Sequence, residues 1–225
     1  MALDIFQIKL GLNSCYLIRG KTVIMIDGGM PNKINTFKKN LLRLNIHPEE
    51  IKLIVLTHSH FDHAGSAKEI RDLTSAKIVI HELEKKFVEE RGMIIPKGVN
   101  LTGKITQPLF FPIFKKLPFP KFKADIFFTD KEIPLYEYGI EGKIIHTPGH
   151  TPGSLSVLLD TGEAFVGCMA HNNLPFRLRP GLPIYALDIA TVKENWKLLI
   201  DKGAKMIYPG HGNPFPVEVM KEILN

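Results

Sequence analysis

The sequence predicts an α/β protein in which two β-sheets lie face to face with helices on their outer sides. Three observations point there. The 225 residues suit one domain. Strand-like segments come in two runs, one leading to helix–strand and the other to helix–strand–helix. Lys52 to Thr57 is short and almost wholly apolar, as a strand buried on both faces is.

The elements follow in chain order. Leu3 to Leu10 alternates apolar and polar residues and reads as a strand. Cys15 to Ile18 and Thr22 to Ile26 are two more, joined by the turn Arg19-Gly20-Lys21 and ended by Asp27-Gly28-Gly29. Pro31 to Leu44 carries Ile34, Phe37, Leu41 and Leu44 at helical spacing, with a proline near its start. After the buried strand, Ala64-Gly65-Ser66-Ala67 reads as a helix start, Lys77 to Ile80 as a strand and Glu82 to Glu90 as a helix. Strands follow at Ile126 to Phe128, Ile140 to His146, Ser156 to Leu159 and Glu163 to Val166. A Pro- and Arg-rich loop spans Leu174 to Leu182. A helix from Ile189 to Lys202, a strand at Met206 to Tyr208 and a helix from Val217 to Leu224 end the chain.

Residues 92–124 differ in kind. Pro96, Pro108, Pro112, Pro118 and Pro120 interrupt them, and Phe110, Phe111, Phe114, Phe119 and Phe122 alternate with lysines. The stretch reads as a long irregular insertion in a single domain over 1–225, and such loops are usually lids or binding loops. Too many prolines fall in it for an amphipathic helix at a membrane surface.

Composition excludes several classes. Hydrophobic content of 44% and charged content of 23% rule out disorder, collagen and coiled coil. No apolar run approaches the length of a membrane span, and no signal peptide is visible. Two cysteines, Cys15 and Cys168, make no disulfide framework, so a cytoplasmic location is expected. The net charge is +6, and residues 92–125 hold six lysines against Asp125 alone. The excess is one local patch, so no nucleic-acid partner is expected.

The chemistry concentrates in Thr57-His58-Ser59-His60-Phe61-Asp62-His63, where the buried strand ends and a helix begins. Residues two apart in extended chain point the same way, so His58 and His60 can face one metal ion. Asp62 and His63, past the bend, can face a second. Imidazole and carboxylate at this density suit a first-row divalent metal.

His58-x-His60-x-Asp62-His63, with Thr57 before it and Gly65 after it, resembles the signature of the metallo-β-lactamase superfamily. Thr147-Pro148-Gly149-His150-Thr151-Pro152-Gly153-Ser154 resembles its third motif, Gly167-Cys168 stands at its fourth, and Pro209-Gly210-His211-Gly212 resembles its fifth. Asn13 to Gly29 is similar to its opening hairpins. The resemblance covers the chain apart from 92–124. It implies a four-layer αββα sandwich with a metal site at one edge of the sheets.

It also implies roles. His58, His60 and His150 would bind a first metal; Asp62, His63 and His211 a second. Asp27 would orient a ligand, a role compatible with a turn-forming Asp. Family hydrolases mostly carry a bridging Asp at the fourth motif, whereas some β-lactamases carry a Cys bound to the second metal. Cys168 is thus expected to be a thiolate ligand of the second site, favouring zinc. The alternative is an inert buried cysteine. His171 is expected in a loop, with a substitute metal ligand as the alternative; His47 reads as a surface turn residue, His81 and His146 as structural, and Cys15 as a core residue.

The implied cofactor is zinc, one or two ions per chain, with iron or manganese as alternatives. The implied activity is hydrolysis of a thioester, ester or lactone of a small acyl substrate by a metal-bound hydroxide, with Asp62 holding the water and moving its proton. The third motif and chain length are most similar to the glyoxalase II-like group, yet only fourteen residues follow His211, which argues against glutathione thioesters. Phe110, Phe111, Phe114, Lys115 and Lys116, within 108–122, would line a lid, the alternative being a subunit interface or a cover with no substrate role; Arg177 and Arg179 would meet a substrate carboxylate or phosphate, or else are plain exposed loop residues. A β-lactam hydrolase remains the nearest alternative. A phosphodiesterase or nuclease using the basic, aromatic insertion is the other, and a homodimer is left open.

Overall fold

The computed structural model describes residues 3–90, 92, 94–114, 121–129, 132–172 and 177–225. In chain order the first run comprises β1 (Asp4–Lys9), β2 (Ser14–Arg19), β3 (Val23–Ile26), α1 (Ile34–Leu44), β4 (Ile51–Val55), α2 (Phe61–Ala64), α3 (Ala67–Thr74), β5 (Lys77–His81), α4 (Lys85–Glu90), β6 (Lys97–Gly98), α5 (Leu101–Phe114) and β7 (Ile126–Phe128). The second comprises β8 (Glu132–Pro134), β9 (Gly142–His146), β10 (Leu155–Leu159), β11 (Glu163–Asn172), β12 (Tyr185–Ala186), α6 (Ile189–Asp201), β13 (Met206–Gly212), β14 (Phe215–Pro216) and α7 (Glu218–Leu224).

Among the described residues each run builds one six-stranded sheet, ordered β1-β2-β3-β4-β5-β7 and β14-β13-β11-β10-β9-β8. A two-stranded ribbon, β6 with β12, ties the runs together. The period of two decides which core each side chain enters. On β2, Cys15 and Leu17 face the outer helices, while Tyr16 and Ile18 face the other sheet. On β11, Ala164 and Val166 pack outward towards Trp196 of α6, and Phe165 packs inward. Three apolar layers result: helices on the first sheet, sheet on sheet, and α6 and α7 on the second sheet. This is the αββα sandwich. No helix of the described residues is long and apolar enough to cross a membrane.

The insertion is where expectation and structure part. Leu101–Phe114 is a helix despite Pro108 and Pro112. The two prolines lie four apart, on one face, and both are exposed. The carbonyls they deprive of partners can therefore turn to water, which removes most of the cost of an interior proline. Phe122 is not part of a lid: it is buried in the core beneath the helices of the first sheet. The second correction concerns β11, which runs on to Asn172 instead of ending at Val166, so His171 sits on a strand and not in a loop. Its partner β13 likewise runs through Pro209-Gly210-His211-Gly212.

Candidate metal centre

The parallel strands β3 and β4 end side by side, and so do β11 and β13, at one edge of the sandwich. The residues that follow or close these strands meet there. Asp27 follows β3, Thr57 to His63 follow β4, and Cys168, His171 and His211 lie on β11 and β13. The loop after β9 brings His150. The approach is close at Gly210, where a Cβ would stand 2.6 Å from the His63 ring.

Five imidazoles share one arrangement: one ring nitrogen is held by an oxygen, and the other faces the common centre. His63 Nδ1 donates to Asp27 Oδ2 at 2.7 Å. His150 Nδ1 donates to the Tyr185 carbonyl at 2.9 Å, His60 Nε2 to that of Ile94 at 2.8 Å, and His211 Nδ1 to that of Leu12 at 3.3 Å. His58 Nδ1 lies 3.0 Å from Thr57 Oγ1, whose own proton goes to Asp27. Because carbonyls and carboxylates only accept, the outer nitrogens carry the protons, and in each neutral ring the inward nitrogen holds the lone pair.

Those nitrogens crowd together. His60 Nδ1 is 3.0 Å from His58 Nε2 and 3.2 Å from His150 Nε2. In a second cluster, His211 Nε2 is 3.2 Å from Asp62 Oδ2 and 3.4 Å from His63 Nε2, and Cys168 Sγ is 3.2 Å from His63 Nε2. Cys168 lies within metal-sharing distance of both clusters, with His58 and His150 on one side and His63 and His211 on the other. Lone pairs this close repel unless a proton or cation lies between them. The donor set, nitrogen with one thiol and one carboxylate, fits a divalent zinc-like ion.

Charge differs between the clusters. Burial, with His63 and His60 nearby, pushes His58 well below its ordinary range, and burial beside His150 brings His60 down to about 4. Both are thus neutral, the form that binds metal. Burial would lower His63 and His211 too, but Cys168 and the nearby aspartates outweigh it, lifting His63 well above its usual value and His211 to about 9. Burial would raise the Cys168 thiol, yet His63, His211 and His150 hold it well below the ordinary thiol range. Burial would also raise Asp62, and His63 and His211 carry it below the usual carboxylate range. A divalent ion at this cluster would replace the two imidazolium protons charge for charge. Asp27 anchors the arrangement: it also accepts from Thr57 N at 2.8 Å, and holds φ at +61°.

Over the centre lies a cavity of about 50 Å³, walled by Leu12, Phe61, Pro96, Phe111 and Tyr185 opposite the His and Asp side chains. Phe111, on the inner side of α5, meets Tyr185 edge to face at 5.3 Å. Phe110 is 43% exposed and does not line the cavity. Phe114 is described only as the last residue of α5, and Lys115 and Lys116 lie outside the described residues. Arg177 spans its own loop, donating to the Leu182 carbonyl at 2.8 Å, and Arg179 is exposed. Neither arginine lines the cavity. His171 does, on β11 opposite His211. Leu12, Tyr185 and the Ile94 carbonyl carry no local motif, so no sequence signal marks them.

Comparison with known proteins agrees with this architecture. Residues 8–211 match the family model of the metallo-β-lactamase superfamily. A probable metallo-hydrolase of Methanocaldococcus jannaschii is 28% identical over 204 residues, 89% of this chain and 87% of that protein. A probable metallo-hydrolase of Bacillus subtilis is 30% identical over 208 residues, 85% of this chain and 75% of that one. In structure, the chain resembles a B3 metallo-β-lactamase with a TM-score of 0.70 at 22% identity, over 97% of both chains. It also resembles a protein solved in a di-iron-bound form, with a TM-score of 0.68 at 20% identity, over 96% of both chains. The chain belongs to the metallo-β-lactamase superfamily and stands among its metal-dependent hydrolases.

Proposed function

We propose that the chain is a zinc-dependent hydrolase of small acyl esters, thioesters or lactones, with one ion held by His58, His60 and His150 and a second by Asp62, His63, Cys168 and His211. The observation that carries the reading is the convergence of five imidazoles, each tied by one nitrogen and open at the other. Sulfur among the donors favours zinc over harder ions; iron stays in view because a structural neighbour was solved with two iron ions. When bound, such an ion supplies Lewis acidity and brings the pKa of a water towards 7.

The chain's own residues do the rest. Asp62 Oδ2 stands at the mouth of the second cluster, where it can accept a proton from the attacking water and return it to the leaving group. Leu12, Phe61, Phe111 and Tyr185 set an apolar wall against the centre, which strengthens each charge interaction beside it. The cavity has room for only about four water molecules. A short acyl group fits that space, and a longer one requires α5 to yield. The test is a panel of thioesters, lactones, β-lactams and phosphodiesters with the zinc-loaded protein. Turnover confined to β-lactams or phosphodiesters refutes the acyl-ester reading.

A further inference from the structure

Glu84 is fully buried, in the short turn between β5 and α4, and it is none of the side chains at the centre. Its two carboxylate oxygens are divided between two loops. Oε2 accepts from the backbone N–H of Ser59 at 3.1 Å and from the Ser59 hydroxyl. Oε1 accepts from the backbone N–H of Gly153 at 3.0 Å. Ser59 lies between His58 and His60; Gly153 closes the turn that carries His150.

Other features serve the same joint. A Cβ at Gly153 would stand 2.5 Å from Glu84 Cγ, so the turn can reach the carboxylate only with glycine there. His81, three residues before Glu84, stacks on His146 at 4.0 Å, and His146 Nε2 donates to the Pro152 carbonyl. One further main-chain bond, Leu155 N to the Thr57 carbonyl at 2.8 Å, crosses nearby. It lies before His58 and after Gly153, outside the span of the three histidines.

We infer that Glu84 is a positioning residue that sets the separation of His150 from His58 and His60, and so the affinity of the first metal site. The inference rests on the ligand assignment proposed above. Burying a carboxylate is costly unless its oxygens are satisfied. Here that satisfaction spans the two loops whose spacing a three-nitrogen site depends on. Metal geometry tolerates errors of about 0.2 Å, so a loosened loop acts directly on binding.

The test is stepwise cobalt and zinc affinity, by chelator competition, for wild type, Glu84→Gln and Ser59→Ala. Glutamine keeps the volume but turns an N–H towards one of the two loops. Glu84→Gln should weaken the first site, that of His58, His60 and His150, by about 10–100-fold, the range typical of lost groups behind a ligand, and loss confined to the second site overturns the inference. The other site, read by the near-ultraviolet cobalt–thiolate band of Cys168, should keep its affinity. Ser59→Ala removes one hydroxyl contact and should weaken the same site by a smaller factor. If Glu84→Gln does not fold, Ser59→Ala alone decides. Equal loss at both sites in step with a lower melting temperature means a merely structural role and overturns the inference, as do unchanged affinities. Wild type that takes up no metal refutes the ligand assignment itself.

Discussion

Asp27→Asn isolates the role of one negative charge at the centre. Asparagine is nearly the shape of aspartate and tolerates the left-handed backbone, so φ at +61° does not penalise the change. Its single oxygen can still accept from Thr57 N and Thr57 Oγ1. Its NH2 then faces His63 Nδ1, which lies 2.7 Å from Asp27 Oδ2 and carries a proton. Two donors oppose each other, and His63 relieves the clash by giving up its Nδ1 proton and keeping the one on Nε2, the atom that faces the second cluster. A metal at Nε2 must then drive a proton back to Nδ1, against the amide. A hydrogen bond to a charged group is worth about 1.5–3 kcal/mol, which is about 10- to 150-fold in affinity. Chelator competition with zinc should show that loss at the second site, with the first site unchanged. Circular dichroism checks that the variant is folded. A second-site affinity within about twofold of wild type refutes the reasoning, since it would mean His63 needs no carboxylate to present Nε2.

Three further outcomes are expected. Cys168→Ser should lower second-site affinity by at least about 10-fold and abolish the cobalt–thiolate band; absence of that band from wild type loaded with two cobalt ions removes the sulfur ligand. Phe111→Ala opens the wall facing Tyr185 and should raise KM for acyl substrates more than it lowers kcat, measured by initial rates. The metal-free protein should lose stability as pH falls from about 6.5 to 4. Burial holds His60, His81 and His171 at about 4, so over that window the unfolded chain binds more protons. His211, raised to about 9, is protonated in the native state throughout and in the unfolded chain well below its ordinary pKa of about 6.5, so it opposes the slope only at the top of the window. Melting temperatures taken across this range check the sign.

The sequence exposed what is local and hid what is tertiary. Cys15 to Ile18 and Thr22 to Ile26 read as strands because both of their faces enter apolar layers, which leaves short, nearly continuous apolar runs. The side chains that converge at the centre were readable because the chemistry needs several donors close together, and four of them fall within six residues. Helix α5 was hidden because proline rules act on an average helix, and here both prolines face water. His171 was misplaced because β11 continues through a bulge beyond its apolar stretch. Glu84 was invisible for another reason: in Glu82-Leu83-Glu84 nothing distinguishes the exposed acid from the buried one, and the loops it joins are distant in the chain.

The two sheets are built from successive stretches of chain, and the clusters draw on both. His58, His60, Asp62 and His63 come with the first sheet; His150, Cys168 and His211 come with the second. An ion seated there recognises only the assembled sandwich, so it acts as a folding ligand by mass action. At a free concentration one hundred times its dissociation constant, each ion adds about 2.7 kcal/mol to the native state. That is a sizeable share of the roughly 5–15 kcal/mol that keeps an ordinary domain folded. Metal supply would then govern how long the chain survives proteolysis as well as how fast it turns over substrate.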